Sequence, residues 1–386
     1  MKVGKGIISV FIFFCFSGCL KPFDPEIKGE VEGYLVVEGG VDTRDGKARI
    51  VLSQTKSLDV INQRIFETGA EVWVEAENGG QVFFEEKDKG VYQSDVQNYE
   101  PGLLYRLNIV TAAKETYQSD YVPFKTGPEI DSLTWAYGDE GVSIFLNTHD
   151  SSNKTRYYRW AFIETAEYNS FFACTAIYDE NKKEVVPRNQ ETQNIYVCWN
   201  EESSKSILLS NTSGLSEDVV THKKIQTLSP DSWKHQFKYS ILVKQYALTA
   251  AEYAYWEVVK QSNENVGSIF DAQPSNIGGN IRSLTHPDSP VFGYFSIGAS
   301  SVKRIFISQS ELPHLDRARN VPSTCLDLDE VFVDITDYYA DPSSYPLIKI
   351  VYNMSGGIIG ITTGPIECID CSLDNRGFTV KPDYWE

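Results

Sequence analysis

The sequence predicts a mainly β protein: an N-terminal immunoglobulin-like or prealbumin-like sandwich, then a larger β-rich domain with one packed α-helix. Three observations predict it. Short stretches such as "VWVEAE" and "YRLNIV" alternate apolar and polar residues at the period of a half-buried strand. Turn signals separate these stretches, Asn78-Gly79-Gly80 being the strongest. A helical start signal stands out once beyond the N-terminal leader, at Thr249.

In chain order, Lys2 and Lys5 precede Ile7–Phe16, an apolar run of ten residues. A bilayer-spanning helix needs about twenty residues, so this run suits the core of a signal peptide. It ends in Phe16-Ser17-Gly18-Cys19, the pattern of a lipobox. Small residues there let a signal peptidase close on the backbone beside the cysteine that is acylated. Residues 1–18 are therefore expected to be a lipoprotein signal peptide, with Cys19 lipidated and residues 19–29 a Pro-containing tether. The bland alternatives are a secretory signal with a chance cysteine, or an uncleaved anchor. Each buried acyl CH₂ adds about 0.8 kcal/mol, so several chains on Cys19 would anchor the protein stably.

Residues 30–127 carry strand patterns at 34–38, 48–53, 71–77, 82–85, 90–94, 103–111 and 117–123, and this spacing predicts the first sandwich. Thr126-Gly127-Pro128 marks a boundary. Residues 128–386 form the second domain, as one elaborate sandwich or two smaller units. Its strands are expected at 130–137, 142–147, 157–165, 207–209, 219–228, 240–248, 331–335 and 347–352, with a strand pair in "VFGYFSIGASSVKR". "TRYYRWAFIET" puts Tyr158, Trp160 and Phe162 on one face and Tyr157, Arg159, Ala161 and Ile163 on the other.

The helix is placed at 249–263. Thr249-Ala-Ala-Glu252 is a capping box, in which the Thr249 hydroxyl accepts from the Glu252 N–H and Glu252 reaches back. Such a cap contributes about 1 kcal/mol. Leu248 and Tyr253 are spaced for a hydrophobic staple, and Ala251, Tyr255, Val258 and Val259 for a core-facing stripe.

Cys15 leaves with the leader, and beyond Cys19 five cysteines remain. Cys174 and Cys198 bracket one excursion and are the expected disulfide; Cys325 then pairs with Cys368 or Cys371. A redox or zinc role for Cys368-Ile-Asp-Cys371 lacks the βαβ setting or a full ligand set.

The formal charge is −18, and loss of Lys2 and Lys5 with the leader makes the remainder two charges more acidic. This argues against nucleic acid and against docking on anionic lipid. No zincin, nucleophile-elbow, phosphate-loop or dinucleotide motif occurs. No catalytic residue, metal or cofactor is therefore assigned. Asp334, Asp337 and Asp341 could gather calcium oxygens but read better as a solvated acidic edge. If a recognition site exists, the loop after the helix is where to look, at Phe270, Asn276, Gly278 and Gly279. The competing reading is a structural connection fixed by Pro274 and the glycine pair.

Four stretches carry a family resemblance: "QYALTAAEYAYWEVVKQ", "GSIFDAQPSNIGGNI", "VFGYFSIGASSVKR" and the ending "CIDCSLDNRGFTVKPDYW". Together they resemble the Bacteroidota family catalogued as domain of unknown function 4249. The resemblance implies an outer-membrane lipoprotein, often encoded beside a TonB-dependent receptor, and supplies no reaction. The expectation is a non-enzymatic accessory or capture subunit of such a transporter, facing the cell surface or the periplasm. The alternative is a stand-alone surface module, an adhesin binding glycan or protein. A third option, a hydrolase of unfamiliar design, would need two facing carboxylates in a deep pocket.

Overall fold

The computed structural model describes residues 33–55, 64–96, 99–264, 278–313, 323–326, 329–373 and 377–385. Cys19, Phe270 and Asn276 lie outside the described residues. The chain is mainly β, a sandwich followed by a larger β-rich part with a packed helix.

The first part contains β1 (Leu35–Asp42), β2 (Lys47–Gln54), β3 (Ile65–Phe66), β4 (Glu71–Ala76), β5 (Gln81–Asp88), β6 (Val91–Asp95), β7 (Leu104–Val110), β8 (Thr116–Ser119), β9 (Val122–Pro123) and β10 (Lys125–Thr126). The Asn78-Gly79 turn joins β4 to β5, with Gly79 at φ 89° and the Ala76 N–H donating to the Gly80 carbonyl at 2.8 Å. β5 pairs with β6 on one side and β4 on the other, so the sheet is continuous and curls around one core. Ile50, Leu52, Val72, Val74, Leu107 and Ile109 fill that core, at alternate positions along their strands where one face is buried.

The second part follows with β11 (Ile130–Gly138), β12 (Gly141–Asp150), β13 (Tyr157–Asn169), β14 (Ala176–Asp179), β15 (Glu184–Pro187), β16 (Val197–Ser203), β17 (Leu208–Asn211), β18 (Asp218–Leu228) and β19 (Lys238–Ala247). Helix α1 (Ala250–Glu264) comes next, then β20 (Ile281–Ser283), β21 (Ile297–Ala299) and β22 (Ser301–Ser308). The sheet β11-β12-β18 packs on the sheet β22-β19-β13-β16-β26, where β26 is Gly377–Phe378. Between them lie Val142, Ile144 and Leu146 from one sheet and Tyr158, Trp160, Phe162, Ile241 and Val243 from the other. On β13, Tyr158, Trp160 and Phe162 are buried and Tyr157, Arg159, Ala161 and Ile163 half-buried, so both faces are partly covered.

Residues 281–299 do not stay with this second sandwich. β20 pairs with β8, and β21 lies parallel between β1 and β10, so one segment covers both ends of the first sheet. Ile281, Val291, Phe295 and Ile297 belong to the first core, which therefore extends beyond the 30–127 stretch. Glycines make this close docking feasible. A Cβ at Gly298 would sit 2.1 Å from the Lys125 carbonyl oxygen, and one at Gly279 would sit 1.5 Å from that of Gly293. β22 then returns the chain to pair with β19.

A smaller C-terminal unit is built from β23 (Val331–Asp334), the short helix α2 (Ile335–Ala340), β24 (Leu347–Tyr352) and β25 (Ile358–Thr363). The sequence pattern extends the first of these strands to Ile335 and misses the helix. Asp334 caps α2 by accepting from the Thr336 N–H at 2.9 Å, and Asp341 accepts from the Ser343 hydroxyl at 2.7 Å. Asp334 is thus a helix cap and Asp341 a local acceptor for a serine hydroxyl.

The structure pairs Cys198 with Cys371 and Cys325 with Cys368, and leaves Cys174 as a buried thiol. The expected Cys174–Cys198 bridge is therefore corrected. Cys198 stands opposite Tyr168 on β13 and packs with Tyr168 and Cys371. Cys174 lies in a separate cluster with Cys325, Ile348 and Cys368, and its thiol donates to the Leu347 carbonyl at 2.8 Å. A bridge across the 173-residue separation of Cys198 and Cys371 is of the class that stabilises by roughly 3–5 kcal/mol. The chain's ending packs beside it. Trp385 is buried, donates to Glu167 at 3.0 Å, and meets Trp199 and Phe306 edge-on.

Two outcomes follow. Gly298→Ala should lose about 1–3 kcal/mol in urea unfolding through overpacking, whereas Gly214→Ala, with nothing within 4 Å, should stay within about 0.5 kcal/mol. Peptide mapping without reduction should recover 198–371 and 325–368 linked pairs, with Cys174 alkylated only after denaturation.

Candidate functional site

Where β19 ends and α1 begins, the chain crosses from the second sandwich to the first. Thr249 caps the crossing, its hydroxyl accepting from the Glu252 N–H at 3.1 Å. Leu248 is buried, and Tyr253 packs on the Tyr157 ring at 5.0 Å. The expected core stripe is shifted. Ala251 is exposed, while Tyr255, Val258 and Val259 are half-buried. The deeply buried helical residue is Glu252, and the inward face runs Glu252, Tyr255, Trp256, Val259 at three- and four-residue steps. The helix lies at the junction of the two sandwiches, packed on β13 and β17 of the second.

Beneath it is a cavity of about 350 Å³, within the range of small-molecule sites. Its floor is the backbone of β1 and β21 from Val37 to Asp42 and Ser296 to Ser300. Its opposite wall is Arg159 on β13, Tyr246 on β19, and Glu252, Tyr255 and Trp256 on α1. Lys47, Arg49 and Lys125 complete it. A second cavity of about 630 Å³ lies across the Tyr255–Tyr294 ring pair, whose centroids are 5.3 Å apart. Gly278 and Gly279 line that second space, so the loop singled out from sequence borders the neighbouring cavity. Gly279 there also backs directly onto Gly293, which fits the structural reading of that residue.

The electrostatics of the first cavity are uneven. The Arg159 guanidinium is held between two rings, 4.3 Å from the Tyr246 centroid and 4.6 Å from that of Trp256. Such cation–π contacts contribute about 0.5–2 kcal/mol each. The Arg159 Nε is buried with no hydrogen-bond acceptor, as are the Asp42 Oδ2 and the Ser300 hydroxyl, which have no partners among the described residues. Asp42 Oδ1, by contrast, accepts from the Ser300 N–H at 3.0 Å and the Arg44 N–H at 3.1 Å. Glu38 pairs with Arg64 at 2.7 Å, and Asp45 pairs with Lys244. Burial pushes the Glu252 carboxyl above its ordinary value; Arg159, the Ser296 hydroxyl and Lys125 pull the other way. Burial also raises Tyr246, against the pull of Arg159.

Only one part of this site was within reach of the sequence. Arg159 falls on the less buried face of β13 by alternation, but nothing local brings Tyr246 and Trp256 to its two sides. Glu252 was legible as a capping residue and not as a buried acid.

The raised Glu252 carboxyl has a signed consequence. A carboxyl that keeps its proton longer when folded costs stability as pH rises above about 4.5, where the unfolded chain ionises first. Glu252→Gln should therefore be close to neutral near pH 4 and stabilising relative to wild type at pH 7. Thermal unfolding of both proteins across that window checks it; a difference independent of pH would contradict it.

No curated protein matches this sequence. A family match runs from residue 20 to residue 304. That stretch holds every residue of the cavity and ends inside β22, before the C-terminal cysteines and Trp385. On that match, covering well over half its length, the chain belongs to the family described as a domain of unknown function, DUF4249.

Proposed function

We propose that this protein is a lipid-anchored, non-enzymatic binding protein of the outer membrane, serving as accessory or capture subunit of a TonB-dependent transporter. The observation that carries the binding part is the cavity under α1, where a half-buried arginine and a buried glutamate share walls with four aromatic rings. Cavities with a few convergent polar groups on mostly apolar walls are the usual form of a ligand site. The envelope part is supported by the leader ending in Cys19 and by two disulfides, which persist in oxidising compartments.

A partner surface is supported by the C-terminal unit. Val331, Phe332, Tyr352 and Ile359 are exposed on one small sheet, with Met354 fully exposed at its turn. Contiguous exposed apolar residues of this kind mark interaction sites. The transporter itself comes from the family resemblance.

One observation favours the second reading, a stand-alone glycan-binding surface module. Exposed Phe83 stacks on Trp73 at 5.9 Å on the outer face of the first sheet, a ring surface suited to a sugar. Purification of the Cys19-anchored protein from native membranes in mild detergent separates the two. A stoichiometric barrel that is lost on Phe332→Asp supports the transporter subunit. A lone, protease-accessible lipoprotein whose glycan binding falls on Phe83→Ala supports the module.

A further inference from the structure

We propose that the cavity under α1 takes a small monocarboxylate carried on a flat apolar body, with Arg159 as the group that holds the carboxylate. This deepens the binding reading above and rests on it. In a chain of formal charge −18, four cations line this one space: Arg159 and Lys125 half-buried within it, Lys47 and Arg49 exposed at its rim. None of the four has an ion-pair partner within 4 Å among the described residues. Of the acids around them, all but Glu252 and the second Asp42 oxygen are already answered. Glu38 is held by Arg64, Asp45 by Lys244, and one Asp42 oxygen by two backbone N–H groups. The cavity therefore presents more cations than unpaired acids, which favours an anion.

The form of the anion follows from the geometry. The Tyr246 and Trp256 rings both lie against the Arg159 guanidinium, which leaves its in-plane N–H groups, the buried and unpaired Nε among them, for a ligand. Those groups match the two oxygens of a carboxylate. Asp42 Oδ2 is buried and unpaired in the floor, and Glu252 lies on the same wall as Arg159. Two acidic groups in the same lining disfavour a dianion such as phosphate and leave a monoanion as the better fit. Burial holds Glu252 toward its neutral form, which lessens that repulsion. The rings of Tyr255 and Tyr294, 5.3 Å apart and tilted by 37°, extend the aromatic surface beyond Arg159.

The test uses full-length protein in mild detergent and three probes: 2-naphthoate, neutral 2-naphthamide and inorganic phosphate. Calorimetry, with tryptophan fluorescence as a second readout, measures binding. Saturable naphthoate binding, roughly tenfold or more tighter than naphthamide and not displaced by millimolar phosphate, is expected. Arg159→Met should weaken it about tenfold or more, and Arg159→Lys, which keeps the charge but not the fork, by less. Should Arg159→Met fail to fold, Arg159→Lys and the half-buried Lys125→Ala still report, each weakening naphthoate while sparing naphthamide. Equal affinity for naphthoate and naphthamide, displacement by phosphate, no naphthoate binding, or variants without effect would each overturn the proposal. No transporter takes part in this measurement. Failure here leaves the subunit reading standing, and a lipoprotein without a barrel partner leaves this one standing.

Discussion

The close approach of residues 281–299 to the first sheet is the constraint on which the rest depends. Backbone, not side chain, makes the contact. The Val37 N–H donates to the Phe292 carbonyl at 2.7 Å, and Val41 to that of Ser296 at 3.0 Å. Gly293 adopts φ 128° there, with Val37 O only 2.0 Å from where a Cβ would be. Once this segment is seated, both ends of the first sheet are covered. β19 and β22 must then enter and leave the second sandwich side by side, and α1 must bridge the gap between the two. The cavity is what remains under that bridge.

A buried polar cluster holds the same crossing from the other side. Gln245 accepts from the Trp160 indole at 2.9 Å and donates to the Pro128 carbonyl at 2.9 Å and the Thr148 hydroxyl at 3.0 Å. The Ser301 hydroxyl donates to the same Pro128 carbonyl. A buried amide so well satisfied specifies one arrangement of β12, β13, β19 and β22 and fixes the linker at Pro128 to them. Farther out, the Cys198–Cys371 bridge and the buried Trp385 fasten the chain's end to the outer side of β13 and β16. The chain is thus tied at its crossing and at its tail.

Alternation made much of the fold legible. β4, β7 and β13 follow their apolar positions, and Thr249 announces α1, because these signals are local. What stayed hidden is a matter of partners. Nothing in Ile297–Ala299 tells a strand that it will lie parallel to β1 and β10, because both lie far away in sequence. Cys198 gives no sign that its partner is Cys371, because the cores separating it from Cys174 form only in three dimensions. Glu252 satisfies a helix-start pattern, and that pattern conceals its burial. Arg159 was readable as a strand residue, but not as a guanidinium between two rings. Sites assembled at crossings draw each residue from a different element, and a linear pattern reports only one element at a time.

The central claim is that residues 281–299 are an integral part of the first sheet and shape the cavity. Native-state hydrogen exchange on the full-length protein tests it most directly. Residues 292–299 should become protected and exposed together with 35–42, as slowly as the core strand 157–169. Exchange of 281–299 well before 35–54 would mean that the first sheet closes without them, and would contradict the account.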